Sequence, residues 1–244
     1  AYAARYFNPD TPHLGRLAGL LTLFAGAMLG LVTADHLLWL YACWELTSIT
    51  SYLLIGWDDR DPNARSSALQ ALLTTGAGGL VMLVGFVLLG QAAGTYELSA
   101  IVVDPPGGTT VSVALVCILV GAFTKSAQWP FSSWLPGAMV APTPISAYLH
   151  SATMVKAGVY LVARLAPPFA HLGFWRPLLF TVGLITMVLG GAKALQQYDL
   201  KRLLAFGTVS QLGFLMVLFG AGSPEATLAG VALIIAHAQK DAES

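Results

Sequence analysis

Residues 66–91 read SSALQALLTTGAGGLVMLVGFVLLGQ, a run without a single charged side chain. A helix that crosses the hydrocarbon core of a bilayer needs about 20 mostly apolar residues, because the core is about 30 Å thick and each helical residue rises about 1.5 Å. This stretch therefore predicts a membrane-spanning helix, and it decides the class of the fold.

The same test applied to the rest of the chain predicts seven or eight spanning helices. They lie near residues 14–33, 37–57, 66–91, 111–129, 143–166, 174–197, 201–221 and, incompletely, 224–240. The stretches between them are rich in charge, proline or glycine, which interrupt helices. The chain is thus predicted to be an all-α, polytopic transmembrane helix bundle.

The composition supports a membrane protein and excludes several functions. Hydrophobic residues make up 56% and charged residues only 10% of the chain, against roughly a quarter charged in a soluble domain. The formal net charge of +0 gives no basis for nucleic-acid binding. Cys43 and Cys117 lie in apolar runs as small hydrophobes. No haem-ligand pair, iron–sulfur cysteine cluster or nucleotide loop is recognisable, so neither a cofactor nor a metal is expected.

Basic residues predict the orientation, since short loops rich in Lys and Arg stay in the cytoplasm. With the first helix entering from that side, Arg164 and Arg176 fall outside. The basic residues that fall inside are Arg5, Arg16, Arg60, Arg65, Lys201, Arg202 and Lys240. The chain opens without a signal-peptide pattern, and none is expected.

Glu45 and Lys125 are ionisable residues within predicted spans. Glu45 lies about 12 Å into its helix, where a carboxylate needs a cationic partner or water, or else keeps its proton. Lys125 precedes Pro130, which must break or kink its helix. Irregular backbone at this depth predicts one discontinuous helix at an ion path. The alternatives are a protonated glutamate hydrogen-bonded between helices and a lysine that reaches the cytoplasmic surface.

The next span contains His150 and Lys156. Histidine titrates near neutral pH, which suits a proton relay, although a histidine could also serve a helix contact. His150 and Lys156 are six residues apart, which corresponds to about 120° around an α-helix, so their side chains cannot point in the same direction. Thr153 shares the face of His150 better. Lys193 lies close enough to its helix end to reach water.

Several motifs resemble the antiporter-like membrane subunits of respiratory complex I and of Mrp cation/proton antiporters. The resemblance covers nearly the whole chain and is closest to the large A-type subunit of Mrp complexes. The motifs are WELTS at 44–48, FTKSAQ at 123–128, WLP at 134–136, APTPISA at 141–147, HSATMVKAG at 150–158, DLKRLLAF at 199–206 and TVSQLG at 208–213.

The resemblance implies a proton relay built from four side chains. Glu45 and Lys125 would form a buried ion pair at the start of a half-channel, and His150, helped by Lys156, would pass protons along the membrane. Family members continue beyond the region seen here, so the chain is expected to be a fragment. Its end departs from the family pattern, which leaves the roles of His237 and Lys240 open.

The sequence therefore predicts that residues 1–244 form a single transmembrane ion-translocation domain of a monovalent cation/proton antiport subunit. The expected setting is the inner (plasma) membrane of a prokaryote. There the chain would be embedded in the lipid bilayer among other membrane subunits, with H⁺ and Na⁺ as the transported ions. One alternative is a proton-pumping subunit of complex I, in which case the chain would be part of an NADH:quinone oxidoreductase, or a proton-pumping subunit of a related membrane-bound hydrogenase. A second alternative is a scaffold fragment that transports nothing.

Overall fold

The computed structural model describes the backbone of residues 14–243 and the side chains in that range except those of 150–152 and 237–243. Within it, an isolated antiparallel bridge between His36 and Glu97 is the only β pairing. The helices are α1 (Leu14–Thr33), α2 (Leu37–Ile55), α3 (Pro62–Ala93), α4 (Leu98–Val103), α5 (Thr109–Lys125), α6 (Trp134–Gly137), a 3₁₀ turn (Ala138–Val140), α7 (Thr143–Ser146), a π-helical segment (Ala147–Thr153), α8 (Lys156–Phe169), α9 (Trp175–Ala194), α10 (Leu200–Ala221) and α11 (Pro224–Glu243).

Four of the described helices are long and apolar enough to cross a membrane by length and composition, namely α1, α3, α9 and α10. Helix α5 and the first part of α11 are apolar but shorter. Helix α2 has 19 residues and carries Glu45 together with several hydroxyl side chains. The predicted all-α transmembrane bundle is confirmed.

The predicted spans match the helices closely, with two informative differences. Helix α1 has the predicted bounds, whereas α5 ends at Lys125 instead of continuing to 129. The predicted span 143–166 is a composite of α7, the π-helical segment and α8. Hydrophobic runs set where a helix can lie in a membrane, but they do not report where its hydrogen-bonding pattern changes.

Local sequence signals explain several helix ends. Asp61 accepts a hydrogen bond from the backbone N–H of Asn63 at 2.9 Å, and Pro62 occupies the first turn of α3, where its missing N–H is harmless. Asp199 caps α10 in the same way through Arg202. Gly94 ends α3 in a left-handed conformation with φ of 70°. These caps fix where α3 and α10 begin and where α3 ends.

Small residues let α3 and α5 approach each other closely. A Cβ atom at Gly85 would lie 2.6 Å from the carbonyl oxygen of Ala114, and one at Gly121 would lie 2.9 Å from that of Gly78. In a bilayer, helix association depends on such packing because lipid is as apolar as the helix surface. The glycines therefore hold α5, which ends at Lys125, against α3.

Gly121→Ala should loosen this contact. Its methyl group would meet the Met82 Cβ at 2.5 Å and the Gly78 carbonyl, so we expect a loss of about 1–3 kcal/mol in stability. Thermal unfolding in detergent measures the change. Gly76→Ala is the matched control, because no atom lies within 4 Å of its Cβ position. Equal unfolding temperatures for both variants would contradict the close packing.

A hydrogen-bonded turn joins two helix ends on the side predicted to lie outside the cell. Both carboxylate oxygens of Asp35 accept hydrogen bonds from Ser99, one from its backbone N–H at 2.8 Å and one from its hydroxyl at 2.6 Å. The Asp35 carbonyl also accepts from the backbone N–H of Leu98. The turn before α2 is thereby fixed to the start of α4.

Ser99→Ala should make the stability of this turn less dependent on pH. The Ser99 hydroxyl and then its backbone N–H hold the pKa of Asp35 below the ordinary carboxyl value. The stabilisation is therefore present above the ordinary carboxyl pKa and is lost as the pH falls through the lowered pKa. We expect unfolding temperatures of the two proteins to differ at neutral pH and to converge in acid. Ser112→Ala, at a half-buried serine on α5 whose hydroxyl donates to the Gly108 carbonyl, should show no such convergence.

Candidate functional site

Lys125 is completely buried at the C-terminal end of α5. Its Nζ atom donates to the Ser48 hydroxyl oxygen at 2.7 Å and to the Trp44 carbonyl oxygen at 3.0 Å, both on α2. It also lies over the Trp44 ring, 5.1 Å from the ring centroid. A buried ammonium group requires such acceptors, since leaving it unpaired is strongly unfavourable. The lysine is thus held between α5 and α2 rather than extended to the surface.

Glu45 lies one position after Trp44 on α2 and is half-buried. Its Oε1 atom is buried and has no hydrogen-bond partner among the described residues. It lies against α3, where a Cβ atom at Gly79 would be 2.0 Å away. The structure brings Glu45 and Lys125 to the same part of the bundle, but the lysine nitrogen donates to Trp44 and Ser48.

Hydroxyl side chains make α2 polar around this point. The Trp44 carbonyl oxygen accepts from the Thr47 hydroxyl at 2.7 Å and the Ser48 hydroxyl at 3.3 Å, as well as from Lys125. These side chains satisfy their hydrogen bonds within the helix, so they can be buried. The sequence reasoning missed Ser48 and the Trp44 carbonyl. The signal available was the polar run Thr47, Ser48, Thr50 and Ser51 inside an apolar helix.

The predicted discontinuity lies directly after Lys125. Ala127 is buried with φ of 48°, and the backbone N–H of Gln128 donates to the Phe123 carbonyl. Two side chains outside α5 bind backbone groups that the break leaves unpaired. The Trp134 indole N–H donates to the Thr124 carbonyl at 2.9 Å, and the Thr186 hydroxyl accepts from the backbone N–H of Trp129 at 2.9 Å. The freed backbone groups are therefore satisfied inside the protein.

Lys156 begins α8 and is 8% exposed. Its Nζ atom donates to the Ile234 carbonyl oxygen of α11 at 3.4 Å. The residue before it, Val155, accepts a 2.6 Å hydrogen bond from the Ser126 hydroxyl, which lies next to Lys125 in the helix break. Polar groups thus connect the end of α5 to the start of α8.

The backbone of His150 lies in the π-helical segment, while its side chain is outside the described residues. The side chains of His237 and Lys240 are also outside them. A π-helix has more residues per turn than an α-helix, so the 120° offset between His150 and Lys156 does not carry over to this segment. The Thr153 hydroxyl donates to the Tyr148 carbonyl within the segment.

A cavity of about 350 Å³ opens at the predicted cytoplasmic side. It is lined by Asp58 and Asp61 from the loop before α3, by Ala141 and Pro142 before α7, and by Lys201 at the start of α10. The Lys201 ammonium group donates to the Ala141 carbonyl oxygen. The cavity places charged side chains beside the segment that precedes α7.

Comparison with known sequences gives one family and a group of bacterial relatives. The family described as NADH:quinone oxidoreductase/Mrp antiporter, transmembrane part, matches residues 34–242. The A/B-type subunit of a probable K⁺/H⁺ antiporter of Rhizobium meliloti is 47% identical over 98% of this chain and 24% of its own length. The A-type subunit of the Na⁺/H⁺ antiporter of Alkalihalophilus pseudofirmus is 48% identical over 91% of this chain and 28% of its own.

Two solved structures share the fold. A chain of the Mrp complex from Dietzia sp. DQ12-45-1b has a TM-score of 0.94 and 46% identity over 98% of this chain and 26% of its own length. A chain of the membrane-bound sulfane sulfur reductase, an archaeal respiratory membrane complex, has a TM-score of 0.88 and 27% identity over 96% of this chain and 50% of its own. The chain spans about a quarter of the curated relatives it matches. On these matches, the chain belongs to the NADH:quinone oxidoreductase/Mrp antiporter transmembrane family.

Proposed function

We propose that this chain is the proton-conducting part of the large A-type subunit of a monovalent cation/proton antiporter in a prokaryotic plasma membrane. The observation that carries the proposal is the fully buried Lys125 at a helix break, with an unpaired carboxyl oxygen of Glu45 on the neighbouring helix. Ionisable groups buried at membrane depth are rare and generally serve ion movement. Residues 1–244 would form one ion-translocation domain that works with other membrane subunits.

The proposed mechanism is a switched relay. While Glu45 is turned away, Lys125 is held by the Trp44 carbonyl and the Ser48 hydroxyl, which accept from its protonated form. A return of the Glu45 carboxylate would favour the charged lysine, and its departure would favour release of the proton. The released proton would pass to His150 and onward with the help of Lys156.

The geometry supports two parts of this path. The Ser126 hydroxyl joins the Lys125 break to Val155, directly before Lys156. On the predicted cytoplasmic side, the cavity at Asp58 and Asp61 gives water access to the loop that precedes α7. Re-protonation of Lys125 would proceed from that side.

We favour antiport over redox-driven proton pumping because of the sequence identities to the matched proteins. The two relatives named antiporter subunits share 47% and 48% identity with this chain, whereas the matched chain of the respiratory reductase shares 27%. The names of those relatives include both K⁺ and Na⁺, so both cations belong in the test.

The experiment places this region in the full-length protein, co-expressed with its partner subunits in an antiporter-deficient bacterium. Inverted vesicles are energised, and the collapse of the pH gradient is followed after addition of Na⁺ or K⁺. Collapse with either cation, absent from vesicles that lack the protein, would support antiport. An assembled complex that responds to neither cation would refute it.

A further inference from the structure

The pair Gly78 and Gly79 in the middle of α3 receives side chains from two different helices. A Cβ atom at Gly78 would lie 1.9 Å from the Thr124 hydroxyl oxygen of α5, and one at Gly79 would lie 2.0 Å from the Glu45 Oε1 atom of α2. At Gly76, on the same helix, no atom lies within 4 Å. Glycine lowers helix stability by about 1 kcal/mol relative to alanine, so its presence at both contact positions calls for a reason.

The surroundings of Gly79 differ from those of the packing glycines. Its three nearest neighbours are the Oε1, Cδ and Oε2 atoms of Glu45, at 2.0, 3.1 and 3.7 Å from the Cβ position. At Gly85 and Gly121 the nearest atoms include backbone carbonyl oxygens, which bring whole helices together. The missing side chain at Gly79 therefore makes room for a carboxyl group.

The carboxyl group in this recess is not paired with a hydrogen-bond donor through Oε1. Lys125, the nearby cation, donates instead to the Trp44 carbonyl and the Ser48 hydroxyl. A buried carboxyl oxygen without a donor is unfavourable, so the position is suited to a temporary state rather than a permanent one.

We infer that the recess at Gly79 is the second position of the Glu45 carboxyl group, occupied when it is turned away from Lys125. Gly79 is then a positioning residue that gives the switch its open state. This inference rests on the proposed function, because it assigns the open state of the same pair. A Cβ at this position removes the recess and leaves the carboxyl group only the positions nearer Lys125.

The test compares Gly79→Ala with the control Gly76→Ala in the full-length protein, in complex with its partner subunits. In the recess Oε1 has no donor beside it, so the carboxyl group would take up a proton there and give it up again on its return to Lys125. A hydrophobic carbodiimide, which reacts with neutral carboxyl groups in apolar surroundings, is therefore the probe, and mass spectrometry measures the labelled Glu45. Glu45→Gln supplies the background. We expect Gly79→Ala to lower labelling and cation-dependent proton movement by about tenfold, and the control to change neither.

Labelling decides the inference independently of transport. Unchanged labelling in Gly79→Ala would overturn it, even if transport fell. If the unsubstituted protein moved no protons, the proposed function would fail, while reduced labelling would still support the second position. Should Gly79→Ala not assemble, Glu45→Ala/Gly79→Ala should assemble because the obstructing carboxyl group is gone. Failure of the double variant to assemble would overturn the inference.

Discussion

Replacing Lys125 by alanine should abolish cation-dependent proton movement, lowering its rate by about 100-fold or more. Lys125 is completely buried, and its Nζ atom at the helix break is hydrogen-bonded to α2. Alanine removes the proton carrier. It also removes one hydrogen-bond partner from the Trp44 carbonyl and one from the Ser48 hydroxyl, but both keep hydrogen bonds within α2. Gradient collapse in vesicles measures the loss.

A second substitution separates chemistry from folding. Lys125→Met keeps much of the side-chain volume without a charge, and the Trp44 carbonyl and Ser48 hydroxyl keep their hydrogen bonds within α2. We expect this variant to assemble and to be equally inactive. Lys193→Ala is the matched control, because Lys193 is an exposed lysine at the end of α9 whose Nζ lies 5.8 Å from the Phe206 ring centroid. Full activity in Lys125→Met would remove the lysine from the relay.

Glu45→Gln should lower proton movement by about tenfold or more while the bundle remains assembled. Glutamine has nearly the shape of glutamate and fits the same recess at Gly79. It cannot carry the negative charge that favours the protonated form of Lys125, so the lysine would be reloaded slowly. The same vesicle measurement applies, repeated over a range of pH.

The pH profile makes this second prediction specific. If Glu45 assists re-protonation, the rate in Glu45→Gln should recover partly as the cytoplasmic proton concentration rises. Glu225→Gln, at an exposed position in the first turn of α11, should keep the original profile. A uniform loss at every pH, with poor assembly, would indicate a packing defect and would speak against a role in reloading.

Much of the fold could be predicted because the bilayer imposes a simple rule. An apolar run long enough to span must become a helix, and α1 has the predicted bounds of 14–33. The end of α5 was harder to predict. Pro130 excludes a helix that continues through it, but the helix stops at Lys125 because the Thr124 carbonyl and the Trp129 N–H find side-chain partners from Trp134 and Thr186.

The candidate site shows the same division. Glu45, Lys125 and Lys156 were identified from sequence because charge at membrane depth is conspicuous. Ser48, Ser126 and the recess at Gly79 were not, since serine and glycine are common in membrane helices and acquire a role only through the side chain opposite them.

Hydrophobicity and local backbone chemistry were enough to predict the approximate limits of the long helices, the break near Pro130 and the charged candidates. The hydrogen bonds from Lys125 to α2 and the contact of Glu45 with Gly79 are visible only in the folded chain. Those partners are far apart in the chain, and their pairing depends on how closely glycines allow three helices to approach.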